Sequence, residues 1–107
     1  MEYIILERIE SLINNHDIII FMKGRKENPK CGFSNNVIQI FNSFNLEYNT
    51  YDVLEDENIR TGIKTYSQWP TIPQVYIKGK FIGGSDIIIE LYKNKQLHEL
   101  LESLLNE

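Results

Sequence analysis

Apolar residues recur along the first part of the chain in two different patterns. Ile5, Ile9, Leu12 and Ile13 are spaced so that they share one face of a helix, which predicts an amphipathic helix. The run 18–22 is instead continuously apolar, short and rich in isoleucine. Such a run predicts a β-strand that is buried on both faces of a sheet.

The middle of the chain shows the same change from helical spacing to strand-like spacing. A second helical stripe is followed by a predicted strand over residues 46–53, although its alternation is imperfect. A third helical stripe must end before Pro70, because the residue before a proline is pushed out of the helical conformation. The two stripes consist of Val37, Ile38, Phe41 and Phe44, and of Ile59, Ile63 and Tyr66.

The last part of the chain is predicted to form a hairpin followed by helical segments. Two β-prone runs flank Lys78-Gly79, which is typical of an antiparallel hairpin. After Gly83-Gly84, Ser85 and Asp86 are placed to cap a helix that begins at "IIIELY". A leucine stripe over residues 97–104 predicts that the C-terminal segment is helical too.

The order of these elements predicts an α/β fold. Two strands joined through a helix are expected to be parallel with a right-handed crossover, and the hairpin then adds antiparallel strands. A mixed four-stranded sheet sandwiched by helices follows, which is the thioredoxin-like arrangement. The length of 107 residues predicts one domain, 1–107, with enough core to fold without disulfides or a structural metal.

Composition and charge exclude several classes of protein. A net charge of -4 and a pI near 5.2 argue against a general nucleic-acid partner. No apolar run is long enough to cross a membrane, and the acidic, helical N-terminal segment resembles neither a secretory signal nor a transit peptide. His16 and His98 lack zinc-like spacing. A single cysteine predicts an intracellular reducing compartment, either the cytoplasm or the mitochondrial matrix.

That cysteine, Cys31, lies in "PKCGFS", where the loop after the first strand is expected to turn into the second helix. The positive end of a helix favours a thiolate, and Lys23 and Lys30 add positive charge nearby. The alternative is a small buried hydrophobic residue, which free cysteine often is. A position between Lys30 and a glycine, after a polar loop, favours the reactive thiol.

Three separated motifs resemble the monothiol glutaredoxins with the Cys-Gly-Phe-Ser active site. They are "FMKG", "PKCGFS" and "WPTIPQVYIKGKFIGGSDI", and they occur in the family's order. The resemblance extends from Ile18 to the last helix. It implies that Cys31 is a redox-active thiol nucleophile and a ligand of a [2Fe-2S] cluster.

The resemblance also implies a glutathione site. Lys23 is similar to the lysine beside the thiol and glutathione, and Phe33 to the aromatic residue that shapes the pocket. Arg60 and Lys64 resemble the basic pair near the glycine carboxylate of glutathione, and their spacing of four puts both on one helix face. Without the motifs, each of these charges would be interpreted as an ordinary solvated one.

The remaining glutathione contacts follow the third motif. The Ile72–Pro73 bond resembles the family's cis-proline, which would expose the Ile72 backbone to the ligand. Ser85 and Asp86 would hold the γ-glutamyl end of glutathione. Trp69 is expected to pack beside the pocket. Some relatives carry a second cysteine where this chain has Ser85, so this chain cannot close the same internal disulfide.

Three functions remain open from the sequence. The favoured one is an iron–sulfur carrier, a homodimer bridged by the cluster that exchanges it with donor and acceptor proteins. The alternative is a glutathione-dependent thiol-disulfide oxidoreductase that acts on glutathione mixed disulfides; the resemblance implies at most weak activity of this kind. A third is a binding module without redox chemistry, which would require a buried or dispensable Cys31.

Overall fold

A computed structural model describes residues 1–106, so Glu107, the last residue of the predicted domain, lies outside the described residues. The predicted alternation of helices and strands is confirmed. The helices are α1 (Tyr3–Asn14), α2 (Gly32–Asn42), α3 (Glu57–Ser67), α4 (Ser85–Lys93) and α5 (Gln96–Leu105). The strands are β1 (Ile18–Met22), β2 (Gly24–Arg25), β3 (Asn28–Pro29), β4 (Asn49–Asp52), β5 (Gln74–Ile77) and β6 (Lys80–Gly83).

The main sheet has four strands in the order β4-β1-β5-β6. Strand β1 pairs with β4 in parallel and with β5 antiparallel, and β6 pairs antiparallel with β5. The mixed thioredoxin-like sheet is therefore confirmed. The hairpin turn has positive φ at Lys78 (51°) and Gly79 (79°), the geometry that lets a two-residue turn follow the twist of the strands.

Strand β1 divides the core into two layers because its side chains alternate between the faces of the sheet. Ile18, Ile20 and Met22 pack into one cluster with residues of α2, α4 and α5. Ile19 and Phe21 pack into the other with residues of α1 and α3. All five are buried, which confirms the predicted strand with two buried faces.

The structure departs from the predicted boundaries in three places. The second strand is shorter than 46–53: it begins only at Asn49, and it ends at Asp52 because a 3-10 turn follows over Val53–Glu55. The loop before Cys31 contains the short antiparallel pair β2–β3. The helix α4 begins at Ser85 with Gly84 in the N-cap position and no side-chain cap hydrogen bond, so the predicted capping by Ser85 and Asp86 is wrong. Both side chains are already inside the first turn.

None of the helices in residues 1–106 is both long and apolar enough to cross a bilayer.

A polar network fixes the start of α3. The carboxylate of Asp56 accepts hydrogen bonds from the Ile59 amide (3.2 Å), from Tyr51 Oη (2.6 Å) and from Arg8 Nη2 (2.7 Å). Partial burial alone would raise the pKa of Asp56, but the bonds from Tyr51, Arg8 and the Ile59 amide outweigh it, so the pKa lies below its ordinary value. Asp56 thereby anchors the helix that carries Arg60 and Lys64.

We expect Asp56→Asn to lower the free energy of unfolding by about 1 kcal/mol at pH 7, since the charge-assisted bonds are weakened while Arg8 is partly exposed to solvent. A carboxyl whose folded pKa is depressed stabilises the fold above its unfolded pKa of about 3.9 and loses that contribution as the pH falls through the folded value. Urea unfolding from pH 3 to pH 7 should show the two proteins converging in acid. A difference that is independent of pH would contradict the role of the charge.

Candidate functional site

The thiol lies at the start of a helix, as predicted. Cys31 occupies the N-cap position of α2 in an extended conformation (φ −146°, ψ 137°), and its carbonyl accepts the Asn35 amide at 2.9 Å. The residue is half-buried and is not in a disulfide. The unpaired amides of the first turn and the helix dipole favour negative charge at this point.

Two of the four basic residues around Cys31 are engaged elsewhere. Lys26 Nζ donates to the Tyr48 carbonyl at 2.8 Å and lies 4.6 Å from the centre of the Tyr48 ring. Arg25 lies 3.9 Å from Glu55, and both side chains are largely exposed. This leaves Lys23, half-buried directly after β1, and Lys30, exposed, as the free positive charges nearest to Cys31 in sequence.

A groove of about 150 Å³ lies between the start of α2, the segment before β5 and the start of α4. It brings together five of the residues that the resemblance implied for glutathione, from three separate parts of the chain. They are Phe33, Ile72, Pro73, Ser85 and Asp86. Lys23, Arg60 and Lys64 do not line it. Phe33, two residues after Cys31, is 61% exposed, so it forms a rim rather than a buried wall.

Ser85 forms the polar end of this groove. The residue is only 8% exposed, yet its Oγ has no hydrogen-bond partner among the described residues. It occupies the first turn of α4, where backbone amides also lack intrahelical partners. Asp86, beside it, is exposed. A buried hydroxyl without a partner is costly, so this end of the groove suits a polar ligand group.

Gln74 holds the segment before β5 in place. Its buried side chain donates through Nε2 to the Trp69 carbonyl (3.1 Å) and to the Thr71 carbonyl (3.2 Å). The Ile72–Pro73 bond is cis, as the resemblance implied. Trp69 lines the groove and packs on Phe81 with ring centres 5.9 Å apart, in agreement with the expected packing role.

Arg60 and Lys64 are half-buried on α3. The helix is joined directly to the groove segment, because the Trp69 amide donates to the Lys64 carbonyl at 3.1 Å. Within residues 1–106 no ion pair engages Lys23, Arg60 or Lys64. Their charges are therefore available to an anion.

Metal-binding side chains are not clustered within the described part of the chain. No group of three or more His, Cys, Asp or Glu residues there is arranged to hold a metal ion. Cys31 is the only thiol. A cluster held by thiolates alone would therefore take every thiolate other than that of Cys31 from outside this chain.

Sequence reasoning missed three residues that line the groove, Thr71, Gly84 and Ile87. The Gly83-Gly84 doublet is the available signal, because glycine in or beside a strand often marks the close approach of another backbone. A Cβ on Gly84 would lie 3.1 Å from the Pro73 carbonyl oxygen and 3.3 Å from Trp69 Nε1. Glycine at this position therefore allows α4 to approach the groove segment closely.

Comparison with known proteins places the chain in a family. The sequence profile of the family described as Glutaredoxin matches residues 18–82. A Synechocystis protein named as an uncharacterised monothiol glutaredoxin, ycf64-like, is 58% identical over 95 residues, which are 89% of each chain.

Solved structures agree with this assignment. The solution structure of reduced poplar apo GrxS14 superposes with a TM-score of 0.84 at 42% identity, over 95% of this chain and 94% of that one. The buckwheat glutaredoxin–glutathione complex superposes with a TM-score of 0.82 over 94% and 90% of the two chains, but at 24% identity it supports the fold alone. The matched profile, the close relatives and the single thiol at a helix start make this chain a member of the monothiol glutaredoxin family.

Proposed function

We propose that residues 1–107 form a single glutaredoxin domain that binds glutathione and, together with a second copy of the chain, a bridging [2Fe-2S] cluster for assembly or transfer to acceptor proteins. The observation that carries the glutathione part is the buried Ser85 Oγ without a partner among the described residues, in a groove that Phe33 also lines. Cys31 itself does not line the groove, but it lies two residues before Phe33 in the sequence. The observation that carries the cluster part is the single thiolate that each chain can supply.

The γ-glutamyl end of glutathione matches the Ser85 end of the groove. Its carboxylate can accept a hydrogen bond from the Ser85 hydroxyl and from the free amides of the first turn of α4. Its ammonium group suits the carboxylate of Asp86, which lines the same groove. The buckwheat protein, which shares this fold, was crystallised with glutathione.

The other end of glutathione carries the glycine carboxylate. Arg60 and Lys64 present two positive charges one helical turn apart and are free of ion pairs within the described residues. Half-burial strengthens such charges relative to fully solvated ones. We assign the glycine carboxylate to this pair, and the cysteinyl sulfur to the region of Cys31 and Lys23.

The ligand count supports a shared cluster. A [2Fe-2S] cluster usually takes four thiolates. One chain and one bound glutathione supply two sulfurs, so two chains and two glutathiones complete the set. A thiol must be deprotonated to bind metal. When bound, the cluster supplies iron and sulfide for transfer; the protein's part is to present Cys31 and hold glutathione beside it.

The alternative is a glutathione-dependent oxidoreductase at the same thiol. The Cys31 thiolate would attack the glutathione sulfur of a mixed disulfide and release the reduced partner thiol. A second glutathione would then attack the Cys31–glutathione disulfide, which regenerates Cys31 and yields glutathione disulfide. Cys31 is free and only partly buried, which permits this route with one cysteine. The absence of a resolving cysteine at Ser85 fits both functions equally.

We expect Arg60→Ala and Asp86→Ala each to weaken glutathione binding by about tenfold to a hundredfold, because a hydrogen bond to a charged group contributes about 1.5–3 kcal/mol. Calorimetric titration of the reduced protein with glutathione measures this directly. The matched controls are Lys93→Ala and Glu90→Ala, which remove one charge of each sign from exposed positions on α4 outside the groove. Unchanged affinity in both groove variants would refute the assigned site.

A further inference from the structure

We infer that Asp52 is a positioning residue: its side chain fixes the Lys23–Gly24 segment against the helix start that carries Cys31. The inference rests on the proposed function for its consequence, because Lys23 is assigned to the thiol and glutathione. The geometry itself is independent of any ligand. It depends on hydrogen bonds that join three separate elements.

The first bonds come from β4. A single oxygen of Asp52, Oδ1, accepts the Gly24 amide at 2.8 Å and the Leu54 amide at 3.0 Å. Asp52 is the last residue of β4 and pairs with Met22 at the end of β1. The carboxylate therefore joins the turn that follows β4 to the turn that follows β1.

Two neighbouring hydrogen bonds connect the Lys23–Gly24 segment to the residues on either side of Cys31. The Lys23 amide donates to Ser34 Oγ at 3.2 Å, and Ser34 is completely buried in the first turn of α2. The Lys30 amide donates to the Lys23 carbonyl at 2.9 Å. Cys31 lies between Lys30 and Ser34, so both of its flanks are tied to the segment that Asp52 holds.

Packing contributes little to holding this loop. Residues 25–28 are all exposed, so few apolar contacts restrain them. Gly24 has a φ of +90°, and a Cβ there would lie 2.6 Å from the Asn28 carbonyl oxygen. The loop therefore requires a backbone conformation that glycine alone adopts readily, and hydrogen bonds must select it. Besides the pairing of Gly24 with Pro29 in the β2–β3 ladder, Asp52 supplies a side-chain hydrogen bond to the Gly24 amide.

The test compares Asp52→Ala with Asp52→Asn in the reduced protein without glutathione. Amide hydrogen exchange is measured at Lys23 and Lys30, which Asp52 does not contact, and the affinity for glutathione is then measured by calorimetry. We expect Asp52→Ala to speed exchange at both amides at least tenfold and to weaken glutathione binding about tenfold. Asp52→Asn should restore both values to within about threefold of wild type, since its Oδ1 can accept the same two bonds.

Two further variants keep the result interpretable. Ile13→Val removes one methylene from the buried face of α1 and should lower the urea midpoint of unfolding without changing exchange at Lys23 or Lys30. If Asp52→Ala does not fold, Asp52→Ser is used in its place. The shorter serine side chain cannot accept from both the Gly24 amide and the Leu54 amide.

Exchange at Lys23 and Lys30 that is unchanged in Asp52→Ala would overturn the inference, whether or not glutathione binds. Loss of protection in Asp52→Asn equal to that in Asp52→Ala would also overturn it, since charge rather than hydrogen bonding would then be responsible. A wild-type protein that fails to bind glutathione would refute the proposed site. Faster exchange in Asp52→Ala, restored in Asp52→Asn, would support the positioning role even in that case.

Discussion

Cys31→Ser is expected to abolish both the visible absorbance of a [2Fe-2S] cluster and the dimerisation that accompanies its uptake. The chain has one cysteine, and residues 1–106 contain no group of three or more His, Cys, Asp or Glu residues arranged to hold a metal. A serine hydroxyl does not supply a thiolate, so two of the four cluster ligands would be lost from the assembly. Anaerobic reconstitution with iron, sulfide and glutathione, followed by absorption spectroscopy and size-exclusion chromatography, measures both effects.

Two comparisons separate this result from general damage to the site. Wild type without glutathione or any other thiol should also fail to assemble, whereas Phe33→Leu should assemble with a smaller loss, because Phe33 forms the exposed rim and ligates nothing. A cluster that formed equally well in Cys31→Ser would defeat the proposal. A wild type that took up no cluster but rapidly reduced glutathione mixed disulfides would establish the oxidoreductase function instead.

Gly84→Val is expected to weaken glutathione binding at least a hundredfold, a loss of about 2.7 kcal/mol. A Cβ on Gly84 already lies 3.1 Å from the Pro73 carbonyl oxygen, so a branched side chain must displace that backbone or fill the groove of about 150 Å³. Either outcome removes space from the ligand at the end formed by Ser85. Calorimetric titration with glutathione measures the loss.

A graded series distinguishes steric exclusion from loss of stability. Gly84→Ala should have an intermediate effect, because its single methyl group meets the same atoms without branching. Leu104→Ala, in the buried face of α5, should cost about 2–5 kcal/mol of stability and leave glutathione affinity unchanged. Wild-type affinity in Gly84→Val would show that the ligand does not use this groove.

Local pattern predicted most of the fold because each element depends on short-range spacing. The continuous apolar run of β1 predicted burial on both faces, and the structure shows why: alternate residues serve two separate core layers. The periodic stripes predicted α1, α2 and α3. The pattern did not predict where α4 begins: the N-cap is Gly84, at a point where the segment before β5 lies close, and not Ser85 or Asp86.

For the site, the sequence by itself determined the chemistry that is available: one thiol at a predicted helix start, and the family motifs that point to glutathione. Only the tertiary structure decided which residues share a groove and which serve as supports. The Ser85 hydroxyl is buried without a hydrogen-bond partner, and Asp52 accepts the Gly24 amide, only because segments far apart in the chain pack together. Such contacts have no short-range signature, because they depend on the packing of whole elements rather than on the spacing of neighbouring residues.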